Sequence, residues 1–265
     1  MPAILNEARA VEAPHTSRTA EYAPKCKPGS RALVIQDILD CLATIEEEDE
    51  VGRGGRGRRR RGGGRDIRDD GADDATPIKS ILWFHGPAGG GKTCIMREVS
   101  TRLQRLGRLA GSYFFSSRVG GLDSERPFVA TIAHQLAILC PYYKAELLRA
   151  ISAHPTVFEE SLNSQVEKLI HEPLESSAKM STDSLSGRWL TLVVDGFDEC
   201  HNSVERSNLL CIFHGLATAT GSVRFFLIMA SRSELDIRQA FDHQPLDTTM
   251  EHRMFAISFA TNFVG

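Results

Sequence analysis

Residues 82–96 read LWFHGPAGGGKTCIM. A short β-forming run breaks into glycines, then into a Lys-Thr pair, then into residues that suit a helix. The turn fits G-x-x-x-x-G-K-[ST] with Gly86, Pro87, Ala88, Gly89, Gly90, Gly91, Lys92 and Thr93 in order. Phosphate is large and anionic, so backbone N–H groups must converge on it through torsions that side chains obstruct. Glycine removes that obstruction. A helix starting at the same point turns the positive end of its dipole toward the anion. Lys92 has the charge and reach for β- and γ-phosphates, and the Thr93 hydroxyl can ligate Mg²⁺. A glycine-rich turn can fit this pattern by chance, but the strand before it and the helix after it argue for a phosphate loop.

Outward from the loop, SILWFH (80–85) is the strand that feeds it, and a helix runs from Lys92 to about Leu106, ended near Gly107. A second strand covers 109–115. Residues 126–153 are helical with a break at Pro141, and 162–174 form an amphipathic helix with Val166, Leu169 and Ile170 on one side. A polar, Ser-rich linker spans 175–187. Further strands are expected at 189–195, 223–230 and 254–259. Strands separated by helices imply an α/β fold. It is the three-layer P-loop NTPase type, with a mostly parallel sheet flanked by helices.

The N-terminal third divides differently. Residues 1–29 are polar and aperiodic and are expected to be disordered. Residues 30–45 form a helix leading into the domain, with Leu33, Val34, Ile38, Leu39 and Leu42 on one face. Residues 46–77 form a low-complexity insert: EEEDE is followed by VGRGGRGRRRRGGGR, which holds seven Arg and seven Gly. Residues 78–265 are the nucleotide-binding domain.

Composition excludes several classes. A chain of 265 residues, 42% hydrophobic, buries one good core. A net charge of −3 gives no global signal for nucleic acid or anionic membrane. The six cysteines are scattered with no CxxC pair, which suits free thiols in a reducing compartment. There is no secretory signal and no apolar run approaching the roughly 18 residues of a membrane helix. The expectation is a soluble cytoplasmic protein.

Two further stretches carry chemistry. In LTLVVDGFDEC (190–200) an apolar strand ends on Asp195, placed to hold the Mg²⁺ shell, with Asp198 and Glu199 just beyond. An acid there can orient a water for attack on a γ-phosphate, Glu199 first and Asp198 second. In FFLIMASR (225–232) a strand ends in Ser231-Arg232, on the edge where ligands bind in open α/β sheets. Arg232 can meet γ-phosphate charge there; the bland reading is a solvated arginine. Cys200, His201, Cys211 and His214 match no standard zinc spacing, His134 reads as an ordinary helix residue, and Cys94 as packing.

Together these residues resemble the NACHT family of STAND-type P-loop NTPases, more narrowly the fungal NOD-like-receptor group and the nephrocystin-like N-terminal domain. The resemblance covers about residues 26–245 in seven ordered blocks: CKPGSR (26–31), GPAGGGKT, SYFFSSR (112–118), RPFVATIAHQLA (126–137), QVEKLIHEPL (165–174), LVVDGFDEC and FLIMASRSELDIRQAF (227–241). It implies a sheet whose fourth strand lies between the phosphate-loop strand and the acidic strand. It also implies ATP or ADP with Mg²⁺, slow hydrolysis, and a signalling switch that self-associates or meets signalling partners within a longer, repeat-bearing chain. Glycine after Asp195, with acids three and four positions on, is the NACHT form of that motif. The sequence departs from the family in ending at Gly265, before a winged-helix lobe and repeats. It also carries an Arg/Gly stretch where a short acidic connection is usual, and Ala230 where threonine is usual.

Other classes compete. RGGRGRRRRGGGR can bind RNA by charge and stacking, but flanking acids offset it and no folded RNA-binding motif is present, so nucleic acid is not the expected partner. A nucleotide or small-molecule kinase needs an arginine-rich lid after the fourth strand, where only Arg238 and Arg253 stand. Signalling GTPases carry N-K-x-D, which is absent.

Overall fold

The computed structural model describes residues 1–21, 29, 31–57, 79–180, 185–242, 246 and 250–254. The first strand, β1 (Ile81–His85), runs into the glycine turn and then into helix α4 (Lys92–Arg105). Before β1 come α1 (Ala3–Ala8), α2 (Arg18–Glu21) and α3 (Ala32–Gly57). After α4 come β2 (Leu109–Phe114), α5 (Phe128–Leu139), α6 (Pro141–Ala153), α7 (Leu162–Val166), α8 (Glu172–Met180), β3 (Trp189–Asp195), α9 (Ser203–Thr218), β4 (Arg224–Ser231), α10 (Leu235–Phe241) and β5 (Met250–Met254). The five strands pair in the order β2-β3-β4-β1-β5, every ladder parallel. The fourth strand therefore lies between the phosphate-loop strand and the acidic strand.

Period-2 alternation divides the core between the two sheet faces. Ile81 and Trp83 of β1, with Phe225, Leu227 and Met229 of β4, meet a layer built from α5, α6, α8 and α9. Leu82 and Phe84, with Phe226, Ile228 and Ala230, meet α3 and α4 on the opposite face. Covering on both faces explains why β3 is buried at every residue and reads as a near-continuous apolar run.

Helix α4 ends as its sequence implies. Gly107 has φ +66°, and Arg108 N–H donates to Leu103 O at 2.9 Å, closing the last turn with a left-handed glycine. The break at Pro141 separates α5 from α6 with proline in the first turn of the second helix.

Several expectations are corrected. Residues 1–21 are not disordered. Leu5 and Ala13 are fully buried, and His15 is 7% exposed. The segment runs along β2, an edge strand: Phe114 N–H donates to Ala13 O at 2.9 Å, and His15 N–H to Ser112 Oγ at 3.0 Å. Main-chain contacts and single anchors leave no periodicity to read, and they cover an edge that would otherwise be bare. Residues 22–28 and 30 lie outside the described residues.

Helix α3 continues past 45 to Gly57, into the expected insert, of which 58–77 lies outside the described residues. Its inward face is Ile35, Ile38, Cys41, Leu42 and Ile45, whereas Leu33 is 81% exposed. The 162–174 helix continues to Met180 through a one-turn π segment (Glu167–His171). Pro173 has no N–H for the Leu169 carbonyl, and the wide turn accommodates its ring. Tyr143 Oη donates to that carbonyl instead, at 2.6 Å. The last strand lies at 250–254 and pairs with β1; residues 255–259 are outside the described residues. Cys94 is disulfide-bonded, while Cys140, Cys200 and Cys211 carry free thiols. Pairing is a matter of spatial approach, which spacing along the chain does not report.

Candidate functional site

The C-terminal ends of β1, β3 and β4 bring the chemistry-bearing residues together. Two of the loop glycines need to be glycine for torsional reasons: Gly89 has φ +75° and Gly91 φ +85°. Gly90 N–H donates to Pro87 O at 3.3 Å and closes the turn. Gly91 is the N-cap of α4 and offers no side-chain acceptor, so the first N–H groups of a 14-residue helix have no capping side chain. Such a helix end accepts an anion.

Lys92 folds back over this loop. Its Nζ donates to Gly86 O at 2.8 Å and Pro87 O at 2.9 Å. Burial lowers its pKa, opposed by the charges of Asp198 and Asp195. Thr93 follows, and its side chain lies near enough to the Asp195 carboxylate to favour the ionised form. Asp195 ends β3 only 4% exposed, and burial pushes its pKa up to about 6 against the pull of Thr93 and Lys92. A buried carboxylate beside a hydroxyl is a pair of oxygen donors that suits a divalent cation, whose charge would favour the ionised form.

Gly196 turns the chain out of β3 with φ +68°, and a Cβ there would lie 2.8 Å from Phe115 O. Glycine is thus required twice over, by torsion and by the approach of the neighbouring strand's end. The single turn Phe197–Glu199 then sends its two acids in different directions. Asp198 Oδ1 accepts the Arg232 backbone N–H at 2.8 Å, and Oδ2 lies 3.1 Å from Arg232 Nε. Glu199 Oε2 accepts from both Ser117 N–H at 2.9 Å and Ser117 Oγ at 3.0 Å. Lys92, Thr93, Asp195, Asp198 and Arg232 form one electrostatic cluster. Glu199 is anchored to the loop after β2 instead.

Sequence reasoning assigned no role to Ser117, although it lies in SYFFSSR. A serine two residues past a strand carries no distinctive signal. Ser231 was likewise passed over. It is fully buried, accepts from Trp83 Nε1 at 2.8 Å and donates to Arg232 O at 2.7 Å, tying the exit of β4 to β1. Among the described residues no helix is long and apolar enough to cross a membrane.

Residues 70–232 match the family model described as Nephrocystin 3, N-terminal, which is more than half of the chain. No curated protein matches. Solved structures with similarity include Drosophila ORC bound to poly(dA/dT) DNA and Cdc6, at 15% identity and TM-score 0.41, covering 91% of this chain and 37% of that one. The Aeropyrum pernix ORC2 protein in ADPNP–ADP complexes is similar at 10% identity and TM-score 0.34, over 67% of this chain and 41% of that one. The chain spans well under half the length of either.

Proposed function

The chain belongs to the Nephrocystin 3 N-terminal family, and from that premise we propose that it is a nucleotide-dependent switch module binding ATP or ADP with Mg²⁺. One observation carries the reading. A buried carboxylate, Asp195, is held against Thr93 on the first turn of a helix whose N-terminus has no capping side chain and follows a left-handed glycine turn. That juxtaposes an anion site and a cation site at one point.

In this reading the loop N–H groups and Lys92 hold the phosphates, and Lys92 exchanges its bonds to Gly86 O and Pro87 O for phosphate oxygens. Thr93 and Asp195 would hold Mg²⁺, which would supply positive charge against the phosphates. Glu199, anchored through one oxygen, presents the other to a water. Arg232 meets the terminal phosphate and so reports whether it is there. Both acids and the arginine already have protein partners, which favours slow turnover and a signalling role over metabolic throughput. The glycine and paired acids after Asp195 support the NACHT, fungal NOD-like-receptor form of this switch, with self-association or signalling partners when part of a longer chain.

The test is calorimetric titration with ATP and ADP, with and without Mg²⁺, for the parent and Lys92→Ala. Loss of a charge-assisted phosphate contact should weaken binding by about 2 to 3 kcal/mol. Equal affinities for the two proteins would overturn the reading.

A further inference from the structure

Two links join the arm that leaves β3 to the arm that leaves β4. The inner one, at the site, is Asp198 to Arg232. The outer one is Arg206, in the first turn of α9. Its Nη1 donates to Cys200 O at 2.8 Å, and its Nε and Nη2 donate to Asp236 Oδ2 at 2.8 and 2.6 Å. Cys200 directly follows Glu199, and Asp236 lies in α10, four residues past Arg232. One guanidinium therefore pins the end of the acid turn to the helix that follows the arginine.

The Arg206 side chain is only 17% exposed, so its charge-assisted bonds are screened less than those of a surface pair. A planar fork reaches two acceptors in different directions at once, which a lysine ammonium on a single stem does not reproduce. The helix supporting it is well anchored: Asn202 caps α9, its side chain accepting from Glu205 N–H at 2.9 Å.

We infer that Arg206 is a positioning residue for telling ATP from ADP. The inference rests on the proposed role of Arg232. When the Arg232 guanidinium turns from Asp198 toward a terminal phosphate, the inner link is reduced to its single backbone bond. The outer link then keeps the two arms at their spacing, so Arg232 stays within reach of the phosphate. Without Arg206, that one backbone bond is left to hold the arms at their spacing, they separate more readily, and the extra contact with ATP weakens. A contact that merely staples the surface has a different signature: it lowers thermal stability and weakens ATP and ADP equally.

The experiment measures Mg-ATP and Mg-ADP affinities by calorimetry for the parent, Arg206→Ala, Arg206→Lys, Arg232→Ala and the Arg206→Ala/Arg232→Ala double variant. Arg206→Ala should reduce the ATP-over-ADP ratio by about three- to tenfold with ADP affinity within about twofold of parent, the size expected of one lost coupling. Arg206→Lys should fail to restore the ratio. The double variant should discriminate no worse than Arg232→Ala alone, because both act through one contact. A parental ratio in Arg206→Ala alongside a reduced ratio in Arg232→Ala overturns the role of Arg206 and leaves that of Arg232 standing. A parental ratio in both overturns both. If Arg206→Ala does not fold, Asp236→Asn removes the outer acceptor's charge at nearly constant shape and carries the same expectation.

Discussion

Asp198 holds Arg232 twice, accepting its backbone N–H at 2.8 Å and lying 3.1 Å from its Nε. The aspartate side chain is 7% exposed and the arginine side chain 52% exposed. The backbone bond fixes where the arginine starts, while the guanidinium remains open to solvent and can be drawn elsewhere. An ion pair with one partner this exposed is worth about 1 kcal/mol at most, so a phosphate can compete for it. We expect Arg232→Ala to weaken ATP more than ADP, changing their affinity ratio by roughly five- to thirtyfold. Titration with both nucleotides reads this directly, and an unchanged ratio makes Arg232 an ordinary surface arginine.

Glu199 faces the other way. Its Oε2 is occupied by the two Ser117 donors. Glu199→Gln keeps the shape and an acceptor oxygen but removes the carboxylate. Mg-ATP affinity should stay within about twofold of the parent, while hydrolysis falls by about a hundredfold, the lower range for losing a positioned base. Phosphate release under single-turnover conditions measures it. A parental rate removes Glu199 from the chemistry.

The parts of this molecule that could be read from the sequence are those where one local pattern has one physical cause. The strand, glycine turn and helix at 81–105 could be read because a buried strand, a left-handed glycine turn and an amphipathic helix each leave their own local pattern. The strands β3 and β4 could be read because burial on both faces makes them uniformly apolar. The strap at 1–21 could not, since it is held by Leu5, Ala13, His15 and main-chain bonds spaced without a period. Strand β5 begins four residues before the expected one because polar residues suit an edge and carry no apolar run to read. Pairwise contacts such as Asp198–Arg232, Glu199–Ser117 and Arg206–Asp236 join residues 30 to 82 positions apart. No window along the chain contains both partners.

Asp195 supplies a pH test. Burial raises its pKa from 3.8 to about 6, so the folded state holds this proton more tightly than the unfolded chain. Between those values folding takes up a proton, and stability from this group falls as pH rises through the window, then levels off above about 6. Asp195→Asn should remove that slope and stabilise the nucleotide-free protein at neutral pH by roughly 1 to 3 kcal/mol. The same change should abolish the Mg²⁺ dependence of nucleotide binding, and in the parent that dependence should fade as pH drops below about 6. Thermal melts across pH, paired with titrations, check both. A parental slope in the variant assigns it to another group.

Gly196→Ala should be among the costliest single changes near the site. It combines a left-handed torsion at φ +68° with a 2.8 Å approach to a backbone oxygen, which has no flexible end to move aside. Strain and displacement together should cost about 2 to 4 kcal/mol, lowering Tm by about 5 to 12 °C in a chain of this size. Differential scanning calorimetry measures it, and a loss of under about 1 kcal/mol would show that the end of β2 gives way easily.

The strap along β2 offers the sharpest contrast between the sequence reading and the structure. A disordered segment can be removed without loss, whereas this one fills a buried position with Leu5 and closes a sheet edge with Ala13 and His15. Deleting residues 2–17 should lower Tm by several degrees and expose the β2 edge, so that self-association rises with concentration. Leu5→Ala separates the contributions. A buried Leu→Ala costs about 2 to 5 kcal/mol where the surroundings stay put. Here the loss cannot exceed what docking the strap contributes, because a weakened strap detaches and leaves the rest folded. Leu5→Ala should therefore destabilise no more than the deletion does. His15 adds a dependence on acid. Burial lowers its pKa below the usual 6.5, so the docked strap holds its proton less tightly than the free one, and docking weakens as pH falls below about 6.5. Hydrogen exchange at the Phe114 amide, which the strap protects through Ala13, should quicken in both variants and in the parent at low pH, relative to an interior amide of β3. Unchanged protection in the deletion variant would mean that the edge of β2 is closed by something other than this segment.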